Sequence, residues 1–128
     1  DYVACGGRLE DIQSAERNAG SEALHCFLMY RSSRENPLDL VGAMWMIEGL
    51  GQKMATSWAD QVDNLTRGDG QYTRFLRYHG ENDEHHMERF YETLDQVCTD
   101  ESIAKRIKKT ATVVGRLYCL QLEEIDES

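Results

Sequence analysis

Apolar side chains recur at helical spacing along most of the chain, and short polar segments interrupt the pattern. The pattern predicts helices over residues 8–31, 37–64, 72–98 and 101–124. Gly20-Ser21 marks a break or kink in the first segment, with Ser21 available as a new N-cap. The second segment is apolar on nearly all sides from Leu40 to Leu50, so we predict a central, buried helix there. Together these segments predict an all-α fold, with residues 1–128 as a single helical domain.

Three side chains able to bind a metal lie at helical spacing in the third segment. His79, Asp83 and His86 stand at positions i, i+4 and i+7, which places them within about 60° of one another on one helix face. Phe75 precedes His79 by four residues and Phe90 follows His86 by four, so both share that face. A run this rich in acids and histidines can also be an ordinary solvated helix face. Because two aromatic residues flank the polar triplet, we predict a buried metal site.

Glu48 lies in the middle of the apolar second helix. Burying a lone carboxylate costs several kcal/mol, so Glu48 needs an Arg or Tyr partner, an opening to water, or a bound cation. Glu48 lies roughly 27 Å from the turn between two antiparallel helices, and His86 lies about 22 Å beyond it, so the two can meet. Carboxylate and imidazole ligands without a thiolate favour iron or manganese over structural zinc.

Composition narrows the class of protein. The chain has 14 basic and 23 acidic residues, a net charge of −9, and no dense basic cluster, so we expect no nucleic-acid partner. Its 4 cysteines form no C-x-x-C pair, which indicates free, buried thiols in a reducing cytoplasm. We expect no membrane span, because no run of about 18 apolar residues is present. The sequence opens on Asp1 rather than Met, so we expect a processed or trimmed piece of a longer protein.

The segment G-A-M-W-M-I-E-G-L-G, followed by H-x-x-x-D-x-x-H, resembles the heme-oxygenase-like diiron oxidases and oxygenases over residues 36–125. That family shares its helical bundle with heme oxygenase and the TenA-like thiaminases. The resemblance implies that Glu48, His79, Asp83 and His86 bind iron, as one or two ions, with manganese a weaker alternative. It also implies O₂-dependent oxidation of a small organic substrate, such as an amine, an amino acid or a fatty acid.

One departure from the family leaves two explanations open. The family's earlier core helix supplies another Glu and His, and this chain has little sequence before Glu48. The missing ligands can belong to another segment or chain, which would make this chain the C-terminal part of a bundle completed by a homo-oligomer or a partner. Alternatively, Glu22 and His25 substitute for them. His25 and Glu48 differ in height by roughly 7 Å, which favours the first explanation and a packed or capping His25.

A second class of function stays open at this point. The chain can be a helical interaction or assembly domain that kept the fold and lost the redox chemistry. The incomplete ligand set is the argument for that alternative.

Overall fold

The computed structural model describes residues 1–125, without the side chains of residues 82–85. The described chain forms five α-helices and no strand: α1 (Leu9–Ser14), α2 (Ala19–Ser32), α3 (Leu40–Thr66), α4 (Arg74–Val97) and α5 (Glu101–Glu123). This confirms the all-α prediction, and the last three helices begin and end close to their predicted bounds. No helix among the described residues is both long and apolar enough to cross a membrane.

Side-chain caps explain where several helices begin. Asn18 accepts a hydrogen bond from the Ser21 backbone at 2.8 Å and caps α2, so the prediction of Ser21 as the cap is wrong. Asp100 caps α5 by accepting from the Ser102 and Ile103 backbones. Pro37 does not open α3 as predicted. It forms a turn whose carbonyl accepts from the Leu40 backbone, and the helix begins there.

The chain divides into two compact units. The first unit contains residues 1–16 and 48–87, and the second unit contains residues 17–47 and 88–128. In the first unit, the Asp1 carboxylate accepts hydrogen bonds from the Arg74 and Phe75 backbones, which satisfies donors at the start of α4. Ala55, Ala59 and Met87 are its buried apolar side chains. The prediction of one domain over the whole chain stays a prediction.

In the second unit, α2 and α5 pack against each other in opposite directions. Gly20, at the start of α2, lies so close to the Gln121 backbone that a side chain there would clash. The same end is held by two hydrogen bonds, from Asn18 to the Gln121 carbonyl at 2.9 Å and from the Gly20 backbone to Glu124 at 2.6 Å. The helix predicted over residues 8–31 is broken, but the break lies at residues 15–18 between α1 and α2, and Gly20 lies inside α2.

A buried carboxylate ties together the other end of the second unit. Asp39, with 1% of its surface exposed, accepts from Arg31 at 2.8 Å, from Arg106 at 3.2 Å and from Thr110 at 3.3 Å. These partners lie on α2 and α5, and Asp39 directly precedes α3. Two guanidinium groups and a hydroxyl therefore replace the water that the carboxylate loses on burial.

Two predictions about burial are wrong. Met44, Trp45 and Ile47 of α3 are 52%, 37% and 40% exposed, although an apolar helix was expected to be buried on all sides. A helix of that kind needs neighbours all round it, and its own sequence does not say whether they are present. All four cysteines are free, as expected, but they are exposed instead of buried. On α5, Ile107, Thr110 and Val114 are buried and contribute to the core.

The close approach of α3 to α5 generates a prediction. A Cβ atom at Gly42 would fall inside contact distance of the Ile107 carbonyl oxygen, which is backbone and cannot rotate away. We therefore expect Gly42→Ala to lower the free energy of unfolding in urea by about 1–3 kcal/mol. Gly115→Ala is the matched control, because its new methyl would meet only the flexible end of Met46 at 3.4 Å. The control should be neutral or stabilising by up to about 1 kcal/mol. Equal effects at both glycines would contradict this packing.

The ion pair between α3 and α4 generates a second prediction. A hydrogen bond from Arg77, assisted by one from Thr73, holds the pKa of Asp63 below its ordinary value of 3.8. A lowered folded-state pKa stabilises the protein above the ordinary value, and that stabilisation is lost as the pH falls through the folded-state pKa. The stability advantage of the native chain over Asp63→Asn should thus be constant from neutral pH to about pH 5 and shrink below 3.8.

Asp60→Asn is the control for this experiment. Asp60 also bonds Arg77, at 3.1 Å, but its side chain is 58% exposed against 12% for Asp63. Urea titrations between pH 3 and 7 should show a smaller difference for Asp60→Asn. A difference for Asp63→Asn that does not change with pH would contradict the assignment.

Candidate metal centre

The two helices that carry the candidate ligands are antiparallel within the first unit, and their register is fixed at several points. Near the turn, the Thr73 hydroxyl donates to Asp63 at 3.0 Å. Further along, Gly80 lies against Thr56, where a side chain on the glycine would clash with the threonine hydroxyl. From Asp63 back to Thr56 and from Thr73 on to Gly80, both helices advance by seven residues. Seven residues further on, this register leads to Gly49 on α3 and Met87 on α4, which are the chain neighbours of Glu48 and His86.

Glu48 and His86 meet at that position. The Glu48 Oε2 atom lies 3.2 Å from the His86 Nδ1 atom, within hydrogen-bonding distance. The side chain of Glu48 is 26% exposed and that of His86 is 44% exposed, so water and small solutes reach the pair. This confirms that the two helices bring the carboxylate to the histidine. Glu48 is partly exposed to water and has His86 as a hydrogen-bonding partner, so its carboxylate is not buried alone.

Met87 packs against α3 at the level of the pair. Met87 is only 4% exposed, and its sulfur lies 3.8 Å from where a side chain on Gly49 would begin, an ordinary van der Waals distance. Glu48 and His86 each neighbour one of these two residues along the chain. The two helices are therefore in contact next to the carboxylate and the imidazole.

His79 lies among aromatic rings. Its ring centroid is 4.5 Å from that of Phe75 and 5.6 Å from that of Tyr78, the latter in an edge-on arrangement. His79 is half-buried, but Phe75 is 65% exposed. The prediction of a buried, closed site is therefore wrong at this end of the triplet. Periodicity places residues on one helix face but does not determine what covers that face.

Asp83 lies outside the residues whose side chains are described, although α4 runs continuously through its position. Among the side chains that are described, no three His, Cys, Asp or Glu residues lie close enough together to hold a metal. The assignment of Glu48, His79, Asp83 and His86 as iron ligands stays a prediction. The donor chemistry of the described pair fits iron, because a carboxylate and an imidazole lie side by side without a thiolate.

Glu22 and His25, the alternative ligands suggested by the sequence, make other contacts or face solvent. Glu22 forms an ion pair with Arg17 at 3.5 Å and accepts a hydrogen bond from the Cys26 thiol at 3.7 Å. His25 is exposed, so the prediction that it is packed is wrong. Both residues present their side chains at the surface of the second unit.

Sequence reasoning missed the buried Asp39 cluster. Arg31 and Arg106 lie 8 and 67 residues away from Asp39, distances that correspond to no helical repeat. The usable signal was the position of Asp39 at the start of an apolar helix, where a carboxylate is favoured and easily passed over as a cap. The cluster is saturated by its own cations, so it joins helices and is a poor candidate for a metal site.

Comparison with known proteins bears on what the metal centre does. Searches of curated proteins and of solved structures gave no match. A family model described as iron-containing redox enzyme matches residues 1–118, and so covers α1 and α2 as well as the segments from residue 36 onward that suggested the resemblance. Membership favours an oxidoreductase role over the non-catalytic assembly domain. The chain belongs to the heme-oxygenase-like family of iron-containing redox enzymes.

Proposed function

We propose that this chain is a non-heme iron oxidase or oxygenase that uses O₂ to oxidise a small organic substrate. Glu48, His79, Asp83 and His86 are the proposed ligands, and two iron ions are the proposed complement. The observation that carries the proposal is the meeting of Glu48 and His86, 3.2 Å apart, on two different helices of a chain from an iron-containing family.

Two properties of the pair support the proposal. A hydrogen bond between Nδ1 of His86 and Oε2 of Glu48 holds the ring and the carboxylate in one orientation, which limits the entropy lost when both bind a cation. Any proton that the two groups share must leave when both become ligands, so uptake of iron releases protons and weakens as the pH falls. When bound, iron supplies the electrons and open coordination positions that O₂ reduction needs.

The surroundings of the pair favour access by a small substrate. The side chain of His86 is 44% exposed, so a small molecule can reach it from solution. His79 is more sheltered, between Phe75 and Tyr78, and these rings limit how far it can turn. Following the family resemblance, we propose that the remaining ligands come from another segment or a partner chain, with a second copy of this chain as the first candidate.

Substitution of the pair tests the ligand assignment. We expect Glu48→Ala and His86→Ala each to weaken Fe(II) binding by at least about tenfold, because each removes a donor atom from the ion. His79→Ala and Asp83→Ala should lower iron occupancy in the same way. Binding is measured by anaerobic titration with Fe(II), with helicity followed by circular dichroism.

Two surface variants are the controls. Glu81→Ala removes an exposed carboxylate from the same helix, and His25→Ala removes the histidine of the alternative ligand set. Both should keep native affinity for iron. A loss of iron with His25→Ala would instead support the Glu22 and His25 set, and full occupancy in Glu48→Ala and His86→Ala would overturn the assignment.

Oxygen uptake tests the reaction class. The Fe(II)-loaded full chain should consume O₂ faster than the same amount of free Fe(II), and the Zn(II)-loaded chain should consume none because zinc has no accessible redox change. Rates come from an oxygen electrode, together with the iron content per chain. A folded, iron-loaded chain whose O₂ consumption equals that of Glu48→Ala would contradict an oxidase or oxygenase.

A further inference from the structure

An apolar groove lies entirely within the second unit, between the start of α3, the end of α4 and the first half of α5. Its volume is about 530 Å³, which lies inside the range of about 300–1,000 Å³ typical of small-molecule sites. Leu94 of α4 and Cys98, which directly follows that helix, line the groove, and Ile107 of α5 lies at the contact with α3. The groove uses none of the proposed iron ligands.

The groove exists because small residues occur where α5 faces it. Ala104 and Ala111 lie on either side of Ile107 along the helix and contribute little bulk. Gly42 allows the α3 backbone to approach the Ile107 carbonyl, so the two helices meet at backbone distance beside the groove. Trp45, one turn after Gly42, also lines the groove and is 37% exposed. The groove therefore combines a close helix contact with small residues on α5 and an accessible aromatic side chain on α3.

The charges at the rim indicate what kind of molecule fits. Asp95 on α4 and Lys108 on α5 both line the groove, and neither has an ion-pair partner within the part of the chain that the structure describes. An ion of either sign would be attracted by one of these groups and repelled by the other, and it would lose hydration against the apolar walls. An uncharged molecule avoids that cost and can still donate a hydrogen bond to the carboxylate and accept one from the ammonium.

We propose that this groove binds an uncharged, largely apolar small molecule with an aromatic body and a hydrogen-bonding group at its edge. The aromatic body would stack on Trp45, and the polar edge would lie between Asp95 and Lys108. The site is independent of the proposed oxidase function, since it requires neither iron nor any of the iron ligands.

Paired fluorescent probes test the proposal on the metal-free full chain. N-phenylnaphthylamine is uncharged, and anilinonaphthalene sulfonate is the same diarylamine with an added sulfonate group. In a Trp58→Phe background, Trp45 is the one tryptophan, because the chain has 2 in all. We expect the uncharged probe to bind and to quench Trp45 emission, with the anionic probe binding about tenfold more weakly or worse.

Variants that fill the groove provide a second test of the proposal. Ala104→Leu and Ala111→Leu place bulk into the space and should weaken binding of the uncharged probe by about tenfold. Ser102→Leu is the control, since it adds a leucine to an exposed position of α5 outside the groove lining and should leave binding unchanged. The quenching of Trp45 is measured without these leucine variants. It therefore still tests whether the probe binds in the groove if a leucine variant fails to fold.

Three results would overturn the proposal. The first is binding of the uncharged probe without quenching of Trp45, and the second is unchanged binding of that probe to folded Ala104→Leu and Ala111→Leu variants. The third is binding of the anionic probe that is as tight as binding of the uncharged one. Because iron is left out throughout, none of these outcomes depends on whether the chain is an oxidase.

Discussion

The antiparallel register of α3 and α4 is the constraint on which the candidate metal centre depends. It is set by contacts that resist sliding: a carboxylate shared by Thr73 and Arg77 at one end, and a glycine pressed against Thr56 further along. A shift of one helical turn, about 5.4 Å, would separate Glu48 from His86 and break the ion pair near the turn at the same time. The polar contacts near the turn therefore stabilise the position of a carboxylate about four helical turns away from them.

Small residues perform the equivalent task in the second unit. Gly20 and Gly42 let α2 and α3 approach the backbone of α5. The buried Asp39 carboxylate accepts hydrogen bonds from one arginine on α2 and one on α5. Helices that meet at backbone distance have little freedom to adjust. The groove beside Ala111 lies at this helix contact. Glycine at a helix contact thus occurs in both units, with Gly80 on the helix that carries His86 in the first and Gly42 beside the groove in the second.

The sequence was sufficient to predict most of the helices and the meeting of Glu48 with His86. Helical periodicity and the composition of the turn placed Glu48 and His86 at matching heights, because an antiparallel pair joined by a short turn has a calculable register. Burial could not be obtained in this way: Phe75 and Trp45 are apolar residues at regular spacing, yet both are exposed. Long-range charge clusters such as that of Asp39 also escaped, since their members follow no repeat.

The most direct test of the central claim is to locate the iron itself. Crystals of the Fe(II)-loaded chain, measured with X-rays on both sides of the iron absorption edge, would give an anomalous difference peak for each ion. We expect a peak within bonding distance of the Glu48 carboxylate and the His86 imidazole. A peak elsewhere, with Glu48 and His86 still hydrogen-bonded to each other, would contradict it.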